Sequence, residues 1–256
     1  MPSIEIVPVR AFNDNYVWTL VNGSNAAVVD PGDAAPVLEY LRTHNLTLTA
    51  ILNTHHHADH VGGNAALLQH FKVPVYGPYD ERIATVTRRV REGDRFMLDG
   101  IDVELSVLEI PAHTRSHISF HNEDMLFCGD TLFACGCGRI FEGTPAQMHA
   151  ALIKLTALPD RTRVYCGHEY TLSNIRFALA AEPGNPLLVE WEREAAAQRE
   201  RGEVTLPSTI AREKAANPFV RCDQAGVIAT ASRRAGRPLT DAVSVLAEIR
   251  DWKNNF

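Results

Sequence analysis

The residues best equipped for chemistry lie in "NTHHHADHVGGN", Asn53 to Asn64, where His55, His56, His57, Asp59 and His60 fall within six positions. Histidine is a mediocre helix former, and a buried imidazole needs a polar partner. Neither helix propensity nor core packing therefore explains the run. It is internal, which separates it from an expression tag. A solvated polar loop is the plain alternative. Neutral imidazole and carboxylate are also the ligands that zinc and iron accept, which accounts for the residue types as well as their number.

Further donors follow apolar runs. "VLEIP" leads into "AHT" and His113, "MLFCGD" ends at Asp130, and "RVYCGH" ends at His168. Taken singly, a His after a strand is a loop residue and an Asp after Gly is a turn former. Taken with the cluster, four apolar strands that each deliver a His or Asp at the carboxyl edge suggest one converging site, held by strands fixed on both faces.

The elements that must position these donors are legible as patterns. "IEIVPV", "YVWTLV", "AAVVD", "TAILNT", "VPVYG", "IDVELSVLEI", "ISFHN", "MLFCGD" and "RVYCGH" are strand-like, several closed by Gly, Asp or Asn. Helical spacing appears at "APVLEYLRTHN", "GNAALLQHF" and "TPAQMHAALIKLTAL". Alternation of this kind predicts an α/β fold, with sheets covered by helices. After Tyr170 the strands stop. "TLSNIRFALAAEP", "PLLVEWEREAAAQRERG" and "LTDAVSVLAEIRDWKNNF" read as helices, the last with Thr240 as its N-cap. The division expected is residues 1–170 as one domain and 171–256 as a helical second one.

At 256 residues, with 45% hydrophobic and 22% charged residues, the chain can bury a substantial core. A formal net charge of -6 offers no field for nucleic acid. No apolar run is long enough to cross a bilayer. The opening "MPSIEIVPVRAFNDN" has no basic region followed by an apolar core, so no secretory signal is expected. Five cysteines without regular spacing argue against a disulfide framework. Cytoplasmic location, a monomer and no membrane or nucleic-acid partner are the expectations. No G-x-S-x-G elbow marks a serine hydrolase. Cys135 and Cys137, beside Gly136 and Gly138, read as small residues of a tight loop rather than nucleophiles.

"THHHADH", "AHT", "CGDT" and "CGHEYT" together resemble the metallo-β-lactamase superfamily. "FNDNYVW", "GCGRIFEGT", "GHEYT" and the tail with "NPFVR" resemble one branch, the glyoxalase II (hydroxyacylglutathione hydrolase) family. The resemblance implies an αββα sandwich followed by a C-terminal helical domain. It implies two divalent metal ions, zinc first, with iron or manganese as alternatives. One ion would be held by His55, His57 and His113, the other by Asp59, His60 and His168, with Asp130 bridging them. His56 matches no ligand position, and in an extended segment it would point away from His55 and His57. Ala112 stands where the family has Gly, and a positive φ there would strain it.

The implied reaction is hydrolysis of S-D-lactoylglutathione, a glutathione thioester, to glutathione and D-lactate, in methylglyoxal detoxification. Asp59 and Asp130 would act as catalytic carboxylates through the metals, which lower the pKa of water from 15.7 to roughly 7. A thiolate leaves without obligatory acid help, since the free thiol pKa is about 8.5. Arg139, Phe141, Tyr170 and Arg221 match positions that contact glutathione. Phe141 replaces a tyrosine hydroxyl, and the lysine that follows Arg221 in some relatives is missing. A persulfide dioxygenase, a lactonase and a non-catalytic metal-binding module are the alternatives on the same fold.

Overall fold

The computed structural model describes residues 4–256; Met1, Pro2 and Ser3, which begin the stretch considered above for a leader, lie outside them. The chain forms two compact units. The first runs up to Glu109 and includes Ser116–Asn122 and Leu126–Gly129; the second is Ile110–Arg115, Glu123–Met125 and Asp130–Phe256.

In the first unit, β1 (Glu5–Ala11), β2 (Asn15–Asn22), β3 (Asn25–Val29), β4 (Thr47–Leu52), β5 (Val75–Gly77) and β6 (Arg88–Arg89) form one sheet in chain order. The first three strands are antiparallel, and β3 to β6 are parallel. The β2–β3 turn is tight because Gly23 adopts φ 58, a conformation that a two-residue hairpin turn requires. Helices α1 (Ala34–Thr43), α2 (Ala58–Val61) and α3 (Asn64–His70) follow β3 and β4. Asp33 caps α1 by accepting from the Ala35 amide at 3.0 Å. The stripe Ala34, Val37 and Leu41 then faces Val17, Ala26, Val28 and Ile51 in one core, joined by Leu67 of α3.

Alternation turns Trp18, Leu20, Ala27 and Val29 to the other face of that sheet, where they are also buried. A second layer covers them: β7 (Arg95–Leu98), β8 (Val103–Glu109), β9 (Ile118–His121) and β10 (Met125–Gly129), antiparallel neighbours in the order β10-β9-β8-β7. Tyr76 of β5 stacks on Phe96 of β7 at 4.3 Å, and Phe96 meets Phe120 of β9 edge-on. A strand buried on both faces reads as an unbroken apolar run, which is why "YVWTLV" and "AAVV" carry no alternation.

The second unit holds β11 (Leu132–Phe133), β12 (Gly136–Cys137), α4 (Pro145–Thr156), β13 (Arg163–Cys166), α5 (Thr171–Ala181), α6 (Pro186–Glu200), β14 (Ser208–Thr209), α7 (Ile210–Ala216), α8 (Ala225–Ala235) and α9 (Ala242–Asn254). Three details differ from the sequence expectation. Strands do not stop at Tyr170, because Ser208 and Thr209 pair with β13. Two further helices appear, α7, only seven residues long, and α8, whose first turn carries Gly226 and the β-branched Val227 and Ile228. Asp241 rather than Thr240 caps α9: its carboxylate accepts from the Ser244 amide and hydroxyl at 2.9 and 2.7 Å. A full negative charge suits the helix N-terminus better than a hydroxyl.

One buried carboxylate organises this unit. Glu213 of α7 accepts from the Cys135 amide at 3.0 Å, from Asn217 Nδ2 at 2.9 Å and from the Ser208 hydroxyl. Asn217 Nδ2 also donates to the Gly136 carbonyl at 2.9 Å, so the helical tail grips the β11–β12 turn. Burial pushes the Glu213 carboxyl up to about 7, despite the donors from Ser208 and Asn217 that favour the charge. Because this folded value lies above the unfolded one, the group contributes stability below about pH 4.5 that is lost as pH rises through 7. Glu213→Gln should therefore gain on the wild type between pH 5 and 8 by roughly 3 kcal/mol, at 1.36 kcal/mol per pKa unit. Urea unfolding at the two pH values measures this; parallel pH dependence in both proteins would refute it.

Candidate active site

The histidine run of the first unit is anchored by a carboxylate outside it. Asp30, just past β3 and at φ 53, accepts from the Thr54 amide at 2.8 Å, the Thr54 hydroxyl at 2.7 Å and His60 Nδ1 at 3.1 Å. The Thr54 hydroxyl donates its hydrogen to Asp30, so it accepts from His55 Nδ1 at 3.0 Å. Both rings are thereby fixed with the proton on Nδ1 and the lone pair on Nε2. His55 Nε2 lies 3.1 Å from His57 Nδ1, and His60 Nε2 lies 3.4 Å from Asp59 Oδ2. Asn15 Nδ2 holds Asp59 through its carboxylate at 3.0 Å and its carbonyl at 3.2 Å. Close backbone approach explains the nearby glycines: a Cβ on Gly32 would collide with the Asp59 carbonyl, and one on Gly63 with that of Pro31.

His56 points elsewhere. Its Nδ1 lies 3.7 Å from Asp80 Oδ2. Burial would raise the Asp80 carboxyl, but hydrogen bonds from Arg82 and Ser116 hold it well below the usual carboxylate range. His117, which the sequence reading passed over, is fully buried and stacks on His55 at 4.5 Å.

The second unit carries the other three donors. His113 Nδ1 donates to the Arg139 carbonyl at 2.8 Å, leaving its Nε2 lone pair 3.5 Å from Asp130 Oδ2. His168 Nε2 lies 3.3 Å from the same oxygen. Ala112 is not among the residues at positive φ, so the replacement of glycine carries no strain; the close packing falls on Gly143, whose Cβ would meet the Ala112 Cα. Gly138 is required in the same way, against the Asp130 carbonyl and the His113 ring.

These arrangements fit a metal ion. A neutral imidazole lone pair opposite a carboxylate oxygen at 3.3–3.5 Å is repulsive until a cation lies between them. For His60 and His113 the tautomer is set by a protein acceptor on the other nitrogen, as in metal-binding histidines.

A cavity of about 410 Å³ opens beside His113 and Asp130 in the second unit. Phe133, Phe141 and Tyr170 line its apolar side, and Tyr170 stacks on His168 at 4.8 Å. Arg139 lines it too, but so do Arg250 and Lys253 of α9, which the sequence reading did not select. Arg250 is 5% exposed; its guanidinium donates to the Cys137 carbonyl at 2.7 Å, while its Nε has no hydrogen-bond partner. Burial, with Arg250 and then Arg139 nearby, depresses Lys253 to about 8. A signal existed: Leu246, Ile249, Arg250 and Lys253 fall at the spacing of one buried helical stripe, where two cations are out of place.

Arg221 is not brought to this cavity. Its guanidinium makes a bidentate pair with Glu182 at 2.8 and 2.7 Å and donates to the Lys214 carbonyl. The five cysteines are buried and are not joined in disulfides among the described residues. Burial pushes the Cys135 and Cys137 thiols up, which makes both poor nucleophiles.

Residues 12–168 match the metallo-beta-lactamase superfamily, and residues 169–256 match the hydroxyacylglutathione hydrolase C-terminus. The chain is 57% identical over 253 residues to a hydroxyacylglutathione hydrolase of Nitrosomonas europaea, covering 99% of this chain and 97% of that one. Among solved structures it resembles ETHE1 from Myxococcus xanthus, at a TM-score of 0.67 and 24% identity, over 98% of this chain and 91% of that one. It also resembles TTHA1623, solved in a di-iron-bound form, at a TM-score of 0.54 and 28% identity, over 64% and 91% of the respective chains. The fold is thus the αββα sandwich of the metallo-β-lactamases followed by a helical region, and its His and Asp groups suit divalent metal ions. Within that superfamily, the chain belongs to the hydroxyacylglutathione hydrolase family.

Asp30 lies outside the expected ligand set yet orients two members of it. Asp30→Asn should weaken metal binding by roughly ten- to a hundredfold, as loss of such outer hydrogen bonds does. Competition against a chromophoric chelator reads this directly. Unchanged affinity would remove Asp30 from the role.

Proposed function

We propose that this protein hydrolyses S-(2-hydroxyacyl)glutathione, S-D-lactoylglutathione above all, to glutathione and a 2-hydroxy acid. The observation that carries the reading is the three-cation cavity beside His113 and Asp130, lined by Arg139, Arg250 and Lys253 in a chain of net charge -6. It suits a substrate that is anionic at one end and reacts at the other. The name and coverage of the Nitrosomonas europaea relative support the same reaction. The match of the tail to a hydrolase C-terminus favours it over a dioxygenase, a lactonase or a non-catalytic module.

In this reading His55, His57 and His113 hold one ion, Asp59, His60 and His168 hold a second, and Asp130 serves both. The superfamily match spans all seven positions, which supports it. Zinc is our first choice of metal, since imidazole and carboxylate suit it; iron and manganese use the same donors. Bound there, the ions supply water activated near neutral pH and polarise the thioester carbonyl. The chain's own part is positioning. The Arg139 carbonyl keeps the proton of His113 on Nδ1. The guanidiniums of Arg139 and Arg250 and the ammonium of Lys253 bind substrate carboxylate, and Phe133, Phe141 and Tyr170 exclude water from the acyl–sulfur bond. Water oxygen adds to the carbonyl carbon, the C–S bond breaks, and sulfur leaves as thiolate, a good leaving group at a thiol pKa of about 8.5. Residues 1–170 then act as the catalytic domain, and 171–256 act as a substrate-binding domain that adds Arg250 and Lys253 to Arg139. The setting we infer is a cytoplasmic monomer; among the described residues no helix is long and apolar enough to cross a membrane.

Three outcomes are expected. Asp130→Ala should abolish hydrolysis and lower metal content, whereas His56→Ala, whose ring faces Asp80, should keep its metals. Near-normal turnover with full metal content in Asp130→Ala would overturn the ligand assignment. Arg250→Ala should raise KM by roughly ten- to a hundredfold and leave kcat nearly alone, from 1.5–3 kcal/mol per charged hydrogen bond. An equal fall in kcat would place Arg250 in support of the β11–β12 turn instead.

The third concerns pH. Lys253 is charged below about 8 and neutral above it, and bound carboxylate favours the charged form. Arg139, Arg250, Cys135 and Cys137 are the charged and titratable groups around it, and burial pushes both thiols up, away from that window. KM should thus rise as pH passes 8, and Lys253→Met should show a high KM without that inflection. An inflection that persists in Lys253→Met would assign it to another group.

A further inference from the structure

The cavity does not end at Lys253. A second recess of about 200 Å³ shares Ser173 and Lys253 with it and adds Arg176 and Phe256. Ser173 and Arg176 stand three residues apart on α5, so their side chains share one face, and each residue carries the helix about 1.5 Å further from Tyr170. Arg176 is exposed, and among the described residues no carboxylate pairs with it. Other arginines of the helical tail show what a committed cation looks like: Arg221 is locked by Glu182, and Arg212 is paired with Glu194 while lying over the Trp191 ring. Arg176 instead borders a recess that adjoins the substrate cavity at Ser173 and Lys253.

We propose that the recess at Ser173, Arg176 and Phe256 is a second anion subsite, which takes the γ-glutamyl carboxylate of the thiol carrier. The glycyl carboxylate goes to Arg139, Arg250 and Lys253. This rests on the reading of the protein as a glutathione thioester hydrolase. Glutathione carries its two carboxylates at opposite ends of a chain three residues long, which spans up to about 10 Å. One cluster of cations does not serve both ends of an extended molecule. The two ends also differ in charge. The glycyl end is a bare anion and suits a dry, purely cationic cluster such as buried Arg250 with Lys253. The γ-glutamyl end bears an ammonium beside its carboxylate. Among three cations that ammonium would be repelled; at an exposed arginine, with a serine hydroxyl as acceptor and water at hand, it is tolerated. The exposed Phe256 ring offers apolar cover to the methylenes between.

The test compares three thioesters on the metal-loaded full chain: S-lactoylglutathione, N-acetyl-S-lactoyl-cysteinylglycine, in which an acetyl cap replaces the γ-glutamyl group and blocks transfer of the acyl group to nitrogen, and γ-glutamyl-S-lactoylcysteine, which lacks glycine. For Arg176→Ala, KM should rise roughly two- to fivefold on the first and third, the modest size expected of a solvent-exposed charged contact. On the cysteinylglycine thioester it should not change. Arg176→Lys should recover part of the loss, and thermal unfolding of both variants should match the wild type. An equal change on all three substrates, no change on any, or a loss confined to the cysteinylglycine thioester would overturn the subsite. A wild type inactive on all three thioesters would overturn the hydrolase reading itself. Wild-type turnover with an unaltered KM pattern in Arg176→Ala would remove only the subsite.

Discussion

A lone pair that faces a carboxylate oxygen is an arrangement that only a cation relieves, and both units of this protein are built around it. In each unit a protein acceptor takes the Nδ1 proton of an imidazole and so commits Nε2: Asp30 does this for His60, and the Arg139 carbonyl does it for His113. Neither acceptor belongs to the proposed ligand set. They come from the end of β3 and from the turn after β12, and they determine which nitrogen is basic before any ion arrives. The glycines around them follow from that demand, because the donors are held by backbone carbonyls at distances that leave no room for a Cβ at Gly32, Gly63 or Gly138.

The cation cluster shows the complementary cost. Arg250 is buried with one nitrogen unsatisfied, and Lys253 is depressed to about 8 by burial and by Arg250. In a chain of net charge -6 there are carboxylates enough to neutralise both, as Glu182 neutralises Arg221. They are placed elsewhere. Leaving cations unpaired lowers stability, and the return is a site already desolvated for an anionic substrate.

The helical tail is tied to that site through Glu213, Asn217 and Arg250. Glu213 and Asn217 hold the Cys135 amide and the Gly136 carbonyl, and the same turn presents Phe133 and Cys137 to the cavity. The carbonyl of Cys137 in turn receives Arg250. Helices α7 and α9 therefore shape the cavity wall as well as contributing to it, so deletion of the tail and loss of substrate contacts are not separable events.

Much of this was readable from residues alone, for a local reason. The run from His55 to His60 concentrates its donors within two turns of chain, and the strands that lead into His113, Asp130 and His168 are marked by apolar composition that any neighbouring layer would bury. Local patterns of this kind survive without knowledge of the fold. Pairing at long range does not. Whether an arginine is free for substrate depends on which carboxylate the fold brings to it. Arg221 looked available until Glu182, from the far end of α5, closed on it, while Arg250 and Lys253 looked like ordinary members of a terminal helix. Asp30 and Glu213 gave no sign of their roles, because the groups that they accept lie 24 and 78 residues away. Spacing along the chain determined which atoms could bind a metal. Only the tertiary structure decided which charges were already neutralised, since Coulomb interaction depends on distance in space and on burial, and neither is written in sequence order.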